Sequence, residues 1–284
     1  MRFRRRKLRP IGTPAARGDD MAPLAPLSAM SRRRRGIYLL PNLFTTAALF
    51  AGFFATVQAM NQQFETAAVA IFAAMVLDGM DGRVARLTRT QTDFGAHYDS
   101  LSDMASFGVA PALVMYEWAL RGLGKWGWAA AFVYCAGAAL RLARFNANIG
   151  TVDKRFFQGL PSPAAAALVA GFVWVAVDQG IGLQYAWLPW AAFGVTVYGG
   201  LTMVSSAPFY SGKNFHIGVS VPFWVMVAIV LIFFFVSGYP SIVLFGLFCC
   251  YAVSGYIYWG WRLWHGESNP ARPVQVSPTD PEPR

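Results

Sequence analysis

With 284 residues, 56% of them hydrophobic and only 13% charged, the chain has the composition of a polytopic membrane protein, which excludes an ordinary soluble domain. Its net charge of +10 is concentrated at one end, where eleven of the 24 Lys and Arg precede residue 36, so the excess reads as a topology signal before any thought of nucleic acid. Cys135, Cys249 and Cys250 all lie in apolar stretches, which leaves no disulfide framework.

Residues 1–36 are rich in Arg, Pro and Ala, with RFRRRKLR near the beginning and Arg32 to Arg35 near the end. No apolar signal-peptide core follows the first basic cluster. This segment reads as a disordered cytoplasmic arm able to touch anionic lipid. The central arginines have no interleaved aromatic residues, and no nucleic-acid partner is expected. From there the pattern predicts an all-α, polytopic fold of about eight transmembrane helices, forming one transmembrane domain over residues 37–265. The spans run at about 38–60, 66–87, 96–119, 126–148, 162–178, 186–206, 217–237 and 241–263. Pro41 is expected in the first turn of the first span, and Asn42 and Thr45 at the same end read as a polar cap. Tyr256, Tyr258, Trp259, Trp261 and Trp264 read as an interfacial aromatic belt. The Pro-rich residues 266–284 read as a disordered cytoplasmic tail, and no internal repeat is visible.

Lys and Arg placement sets the orientation. With the N terminus in the cytoplasm, all of the 24 except Arg121 and Lys125 fall on that side. Both termini are then cytoplasmic, in a multi-pass protein of the cell (inner) membrane. The Asn42 end of the first span, the RLARFN end of the fourth and the GLPSP linker share the cytoplasmic face.

The most informative stretch is DGMDGRVARLTRTQTDFGAHYDSLSD, residues 78–103. Asp78 and Asp81 (i, i+3) end one span, and Asp99 and Asp103 (i, i+4) begin the next, so each pair projects from one helix face. A carboxylate at a helix centre in the bilayer costs about 2.5–3.5 kcal/mol, and four left unpaired in one hairpin cost roughly 10 kcal/mol. Divalent cations offset this most simply. Hard oxygen ligands suit Mg²⁺ or Mn²⁺, two per site, whereas no Cys/His cluster suggests zinc. Gly82 and Ala85 are small enough to let a flat ring approach the backbone, and Arg86 is able to fork onto phosphate oxygens. Asp93 and His97 read as loop and helix-start residues, and Glu117 as a solvated group at the far surface.

Asp78-x-x-Asp81-Gly82-x-x-Ala85-Arg86, eight residues, then Gly95-x-x-x-Asp99-x-x-x-Asp103 resembles the signature of the CDP-alcohol phosphotransferase family without a departure. The resemblance implies a CDP-lipid donor whose diphosphate completes the shells of metals held by Asp78, Asp81, Asp99 and Asp103. It implies a nucleotide pocket lined by Asn42, Thr45, Gly82, Ala85, Arg86 and Thr92. It also implies Asp103 as the base for the acceptor hydroxyl, CMP as a product, and a homodimer.

Four further segments are similar to the phosphatidylserine synthases of that family: Leu40 to Thr45, Arg141 to Asn146, Phe156 to Ala167 and Leu201 to Lys213. This similarity implies CDP-diacylglycerol and L-serine as substrates. Arg141 and Arg144, with Asn146 nearby, would then supply a bidentate partner for the serine carboxylate. The GLPSP segment also has a plainer reading, as a proline-rich stop between helices. Two alternatives stay open. One is the same chemistry on glycerol phosphate, inositol phosphate or choline. The other is a cation transporter with an acidic ion site, for which broken helices in related halves are expected and neither is seen.

Overall fold

The computed structural model describes residues 28–88, 92–147, 156–210 and 223–265. The basic cluster before residue 28, Arg89, the Lys154/Arg155 linker, Lys213 and the 266–284 tail lie outside the described residues. Residues from Ile37 onward form one compact unit.

Eight helical rods appear among the described residues. They are α1 (Ser28–Met60), α2 (Phe64–Thr88), α3 (93–123), α4 (Lys125–Ala147), α5 (Ser162–Asp178), α6 (Leu188–Val204), α7 (Phe223–Gly238) and α8 (Pro240–Trp264). Each matches an expected span to within about four residues except at the start of α1 and of α7, whose expected residues 217–222 lie outside the described residues. Helix α1 begins at Ser28, inside the segment read as a disordered arm, because SAMSRRRR is built largely from good helix formers. Pro41 therefore lies within the helix and not in its first turn, and Asn42 and Thr45 are not a cap.

By length and apolar composition, two candidate membrane spans stand out among the described residues, Pro41–Met60 and Pro240–Trp264. Helices α5 and α6 are apolar but have 17 residues each, about 25 Å at 1.5 Å per residue. The eight crossings expected from sequence are thus met by eight helices but only two clear spans. The others are short, or interrupted by the charged groups that make up the site.

Helix α5 is the hub. Its SPAAAALVAG face is buried almost throughout, and its alanines let α2, α6 and α8 approach closely. It is tied at its far end, where Ser241 Oγ of α8 donates to Asp178 Oδ2 at 2.6 Å. Helices α4 and α6 touch through glycine, since a Cβ on Gly137 would collide with the Gly200 carbonyl. Helix α3 contains two wide i→i+5 stretches, Met104–Val109 and Tyr116–Leu120. Such turns interrupt the regular hydrogen-bond ladder and are common at functional sites. The buried Tyr134 hydroxyl donates to the Phe107 carbonyl within the first of them, at 3.0 Å.

Two short strands, not expected from the sequence, pair antiparallel. They are β1 (Phe156–Gln158) and β2 (Pro208–Tyr210), with Phe157 opposite Phe209. Phe209 is fully buried and packs on Tyr251 and Tyr256 of α8. The aromatic belt expected on α8 is accordingly split. Tyr256 turns inward and donates to Thr202 Oγ1 at 3.1 Å, while Trp264 is 89% exposed. Glu117, expected to be solvated, is 25% exposed and pairs with Arg121 at 3.1 Å.

Candidate active site

The site is built where the end of α2 meets the start of α3, with α1 holding both. Ser102 Oγ and Ser106 Oγ of α3, both buried, donate to the Thr45 and Ala48 carbonyls of α1 at 3.1 Å each. Gly52 permits this approach, because a Cβ there would lie 2.6 Å from the Ser106 Cα. The register between α1 and α3 is thereby fixed, and α2 enters through Thr45, whose hydroxyl lies 2.7 Å from Asp81 Oδ2. Asp81 is 6% exposed and Thr45 4%, so this bond sits largely out of water.

The four carboxylates converge. Asp78, Asp99 and Asp103 each offer an oxygen within 4.8 Å of the others. Asp78 touches Asp103, and Asp81 touches Asp99. Two carboxylates come this close only with a proton or a cation between them. Asp99 Oδ1 and Asp103 Oδ1 are buried without a hydrogen-bond partner among the described residues. An all-oxygen donor set with orphaned buried oxygens fits hard divalent cations.

Beside this cluster lies a cavity of about 370 Å³. Asn42, Thr45, Gly82, Ala85 and Thr92 line it, together with Pro41, Asp81, Asp93, Gly95, Ala96 and Asp99. Thr92 caps α3, accepting from the Gly95 amide at 3.0 Å. A Cβ on Gly95 would sit 3.1 Å from Thr92 Oγ1 and 3.4 Å from Asn42 Oδ1, so glycine lets α1 and α3 close here. Arg86 is not among the lining residues. Helical side chains lean toward the N terminus, and its guanidinium is exposed and folds back over Gly82. Asp93, read from sequence as a helix-start residue, faces the cavity as well. Its position next to the capping Thr92 was the available signal.

Near Asp103 stands Arg141, close enough for their charges to interact. Its Nη1 donates to Ser162 Oγ at 2.8 Å. Arg144 Nη1 donates to the Ser205 carbonyl at 3.3 Å, next to β2. Tyr251 of α8 also lies within electrostatic reach of Arg141 and donates to the Tyr210 carbonyl at 3.2 Å. Sequence reasoning had not named Ser205 or Tyr251, which reach the arginines only through tertiary folding. Asn146 does not join this group. It faces α3 and donates to Ser100 Oγ at 3.1 Å, because five residues on from Arg141 is nearly half a turn around the helix.

A helical chain that gathers Asp78, Asp99 and Asp103 at one point with Asp81 against Asp99, next to a cavity of nucleotide size, has the architecture of a divalent-metal-dependent phosphoryl transferase. Comparison with known sequences agrees: the pattern described as CDP-alcohol phosphatidyltransferase matches residues 38–198, and the chain belongs to that family. It is 35% identical over 223 residues to the CDP-diacylglycerol–serine O-phosphatidyltransferase of Helicobacter pylori strain J99, covering 78% of this chain and 92% of that protein. The identically named protein of Mycobacterium bovis is 41% identical over 160 residues, 53% of this chain and 55% of that one. That of Methanocaldococcus jannaschii is 45% identical over 102 residues, 36% and 47% of the two chains.

Proposed function

We propose that this enzyme transfers the phosphatidyl group of CDP-diacylglycerol to the hydroxyl of L-serine, giving phosphatidylserine and CMP. The observation that carries this reading is that Asp103 belongs to the acidic cluster and also lies within electrostatic reach of the buried Arg141. The nucleotide-sized cavity adjoins the cluster through Asp81 and Asp99, and Arg141 approaches Asp103.

In this reading the cavity takes the cytidine, with Gly82 and Ala85 offering no bulk against a ring. The diphosphate lies toward the Asp81/Asp99 end, where the N terminus of α3 also favours an anion. Asp78, Asp81, Asp99 and Asp103 would hold two Mg²⁺ or Mn²⁺ ions. Ions held there would neutralise phosphoryl charge and favour in-line displacement at phosphorus. Thr45 holds Asp81 in its ligating rotamer. Arg141 and Arg144 draw the serine carboxylate, which sets its hydroxyl beside Asp103. Asp103 takes the hydroxyl proton as the serine oxygen bonds to the lipid-side phosphorus and the bond from that phosphorus to CMP breaks. A carboxylate is a weak base, so this step depends on placement of the hydroxyl. A homodimer in the inner membrane, with the site on the cytoplasmic face, belongs to the same reading. It is supported by the family resemblance and by the Lys and Arg distribution.

The test is direct. Membranes containing the enzyme are given CDP-diacylglycerol, a divalent ion and labelled serine, glycerol phosphate, inositol phosphate or choline. Label should enter lipid from serine alone and only with the ion present. Labelling from another alcohol would reassign the acceptor, and transfer that survives chelation would remove the metal role.

A further inference from the structure

The GLPSP segment, readable in sequence as a mere helix stop, has its every residue in use in the fold. Gly159 adopts φ +75°, and a Cβ there would collide with the Met203 carbonyl. The Gly159 and Leu160 amides donate to the Ala207 and Thr202 carbonyls at 2.9 and 3.1 Å, fastening the segment to the end of α6 and to β2. Leu160 is fully buried. Pro161 and Pro163 stiffen the backbone on either side of Ser162, the first residue of α5.

A serine at a helix start ordinarily caps the helix with its own hydroxyl. Here Pro161 occupies the cap position and no side-chain cap bond is made. Ser162 is 0% exposed, and its oxygen accepts from Arg141 Nη1 at 2.8 Å. Arginine only donates, so this contact fixes one arm of the guanidinium and leaves the rest for another acceptor. Arg141 Nε is in fact buried without a partner among the described residues. Asp103 lies within electrostatic reach on the same side.

We propose that Ser162 is a specificity-determining positioning residue, which holds the Arg141 guanidinium so that the acceptor must carry a carboxylate close to its reacting hydroxyl. This rests on the reading of Arg141 as an acceptor-binding group. Ser162 sits at the end of a buried, proline-braced helix, so the arginine is held by a rigid mount instead of by another long side chain. Removing the hydroxyl frees the guanidinium to rotate, which loosens serine recognition and leaves the donor cavity, lined by α1 to α3, as it was.

The experiment is steady-state kinetics on the purified full chain with Ser162→Ala, Ser162→Thr, Arg141→Ala and the Ser162→Ala/Arg141→Ala double variant. Ser162→Ala should raise KM for serine about tenfold, the worth of a hydrogen bond to a charged group. Half-saturation by CDP-diacylglycerol should stay unchanged. Ser162→Thr, which keeps the hydroxyl, should recover most of the loss, and Ser162→Ala should add nothing once Arg141 is gone. Should Ser162→Ala prove unstable, Ser162→Gly also lacks the hydroxyl and takes its place. An equal rise in the half-saturating CDP-diacylglycerol, no recovery with threonine, or additivity in the double variant overturns the proposal. If Arg141→Ala raises KM for serine and Ser162→Ala does not, only the positioning role fails. If Arg141→Ala itself leaves KM for serine unmoved, the acceptor reading of that arginine fails with it.

Discussion

The two sides of Asp103 are built differently. The donor side comes from one hairpin, Asp78 to Asp103, braced by α1 through Thr45, Ser102 and Ser106. The acceptor side is gathered from four separate segments: Arg141 and Arg144 on α4, Ser162 on α5, Ser205 after α6 and Tyr251 on α8. The first is a largely local device, in which helix periodicity pairs the carboxylates and α1 clamps the two helix ends together. The second exists only once β1 has paired with β2 and α8 has packed against Phe209. In the proposed reading, chemistry common to the family is served by the first kind of construction, and the choice of acceptor by the second.

The largest effect expected separates the two sides at the residue they share. Asp103→Asn should lower kcat by about 10²–10⁴-fold, the usual worth of a positioned base, while CDP-diacylglycerol still binds. Retained turnover in a single-turnover assay would take the base role from Asp103. Next comes a probe of the acceptor side alone. Arg144→Ala should raise KM for serine roughly 10- to 100-fold, as for loss of a hydrogen bond from a charged group, with little change in half-saturating donor. Equal losses for both substrates would move this arginine to the donor side. The smallest effect tests the donor side. Thr45→Val keeps the shape but removes the proton given to Asp81, and should raise the ion concentration needed for half activity about tenfold. A shift in KM for serine instead would mean that the two sides are not separable in the way described.

This division also explains what could be read from the sequence. Eight helices and the acidic hairpin were legible because both depend on spacing of 3.6 and on runs of apolar residues. Arg141 and Arg144 were visible as a pair, but not what holds them, since Ser162 and Ser205 are 21 and 61 residues further along the chain from their respective partners. Asn146 looked like their neighbour because it is close in sequence, and helix rotation sends it to Ser100. Arg86 looked aimed at the phosphates, yet it folds over Gly82. The two strands carried no alternation long enough to notice, being three residues each. Pro41 misled in the other direction, marking a helix start that the chain ignores.

Helix α5 is pinned at both tips, by Ser162 to Arg141 and by Asp178 to Ser241. A rod fastened top and bottom cannot slide to follow a swelling or thinning bilayer, because a shift of a single residue, about 1.5 Å, would undo both fastenings at once. In the proposed reading, the acceptor-binding Arg141 is therefore referenced to the protein frame and not to the lipid surface. Turnover should hold nearly constant across vesicles of different acyl length, even though the donor itself is a lipid.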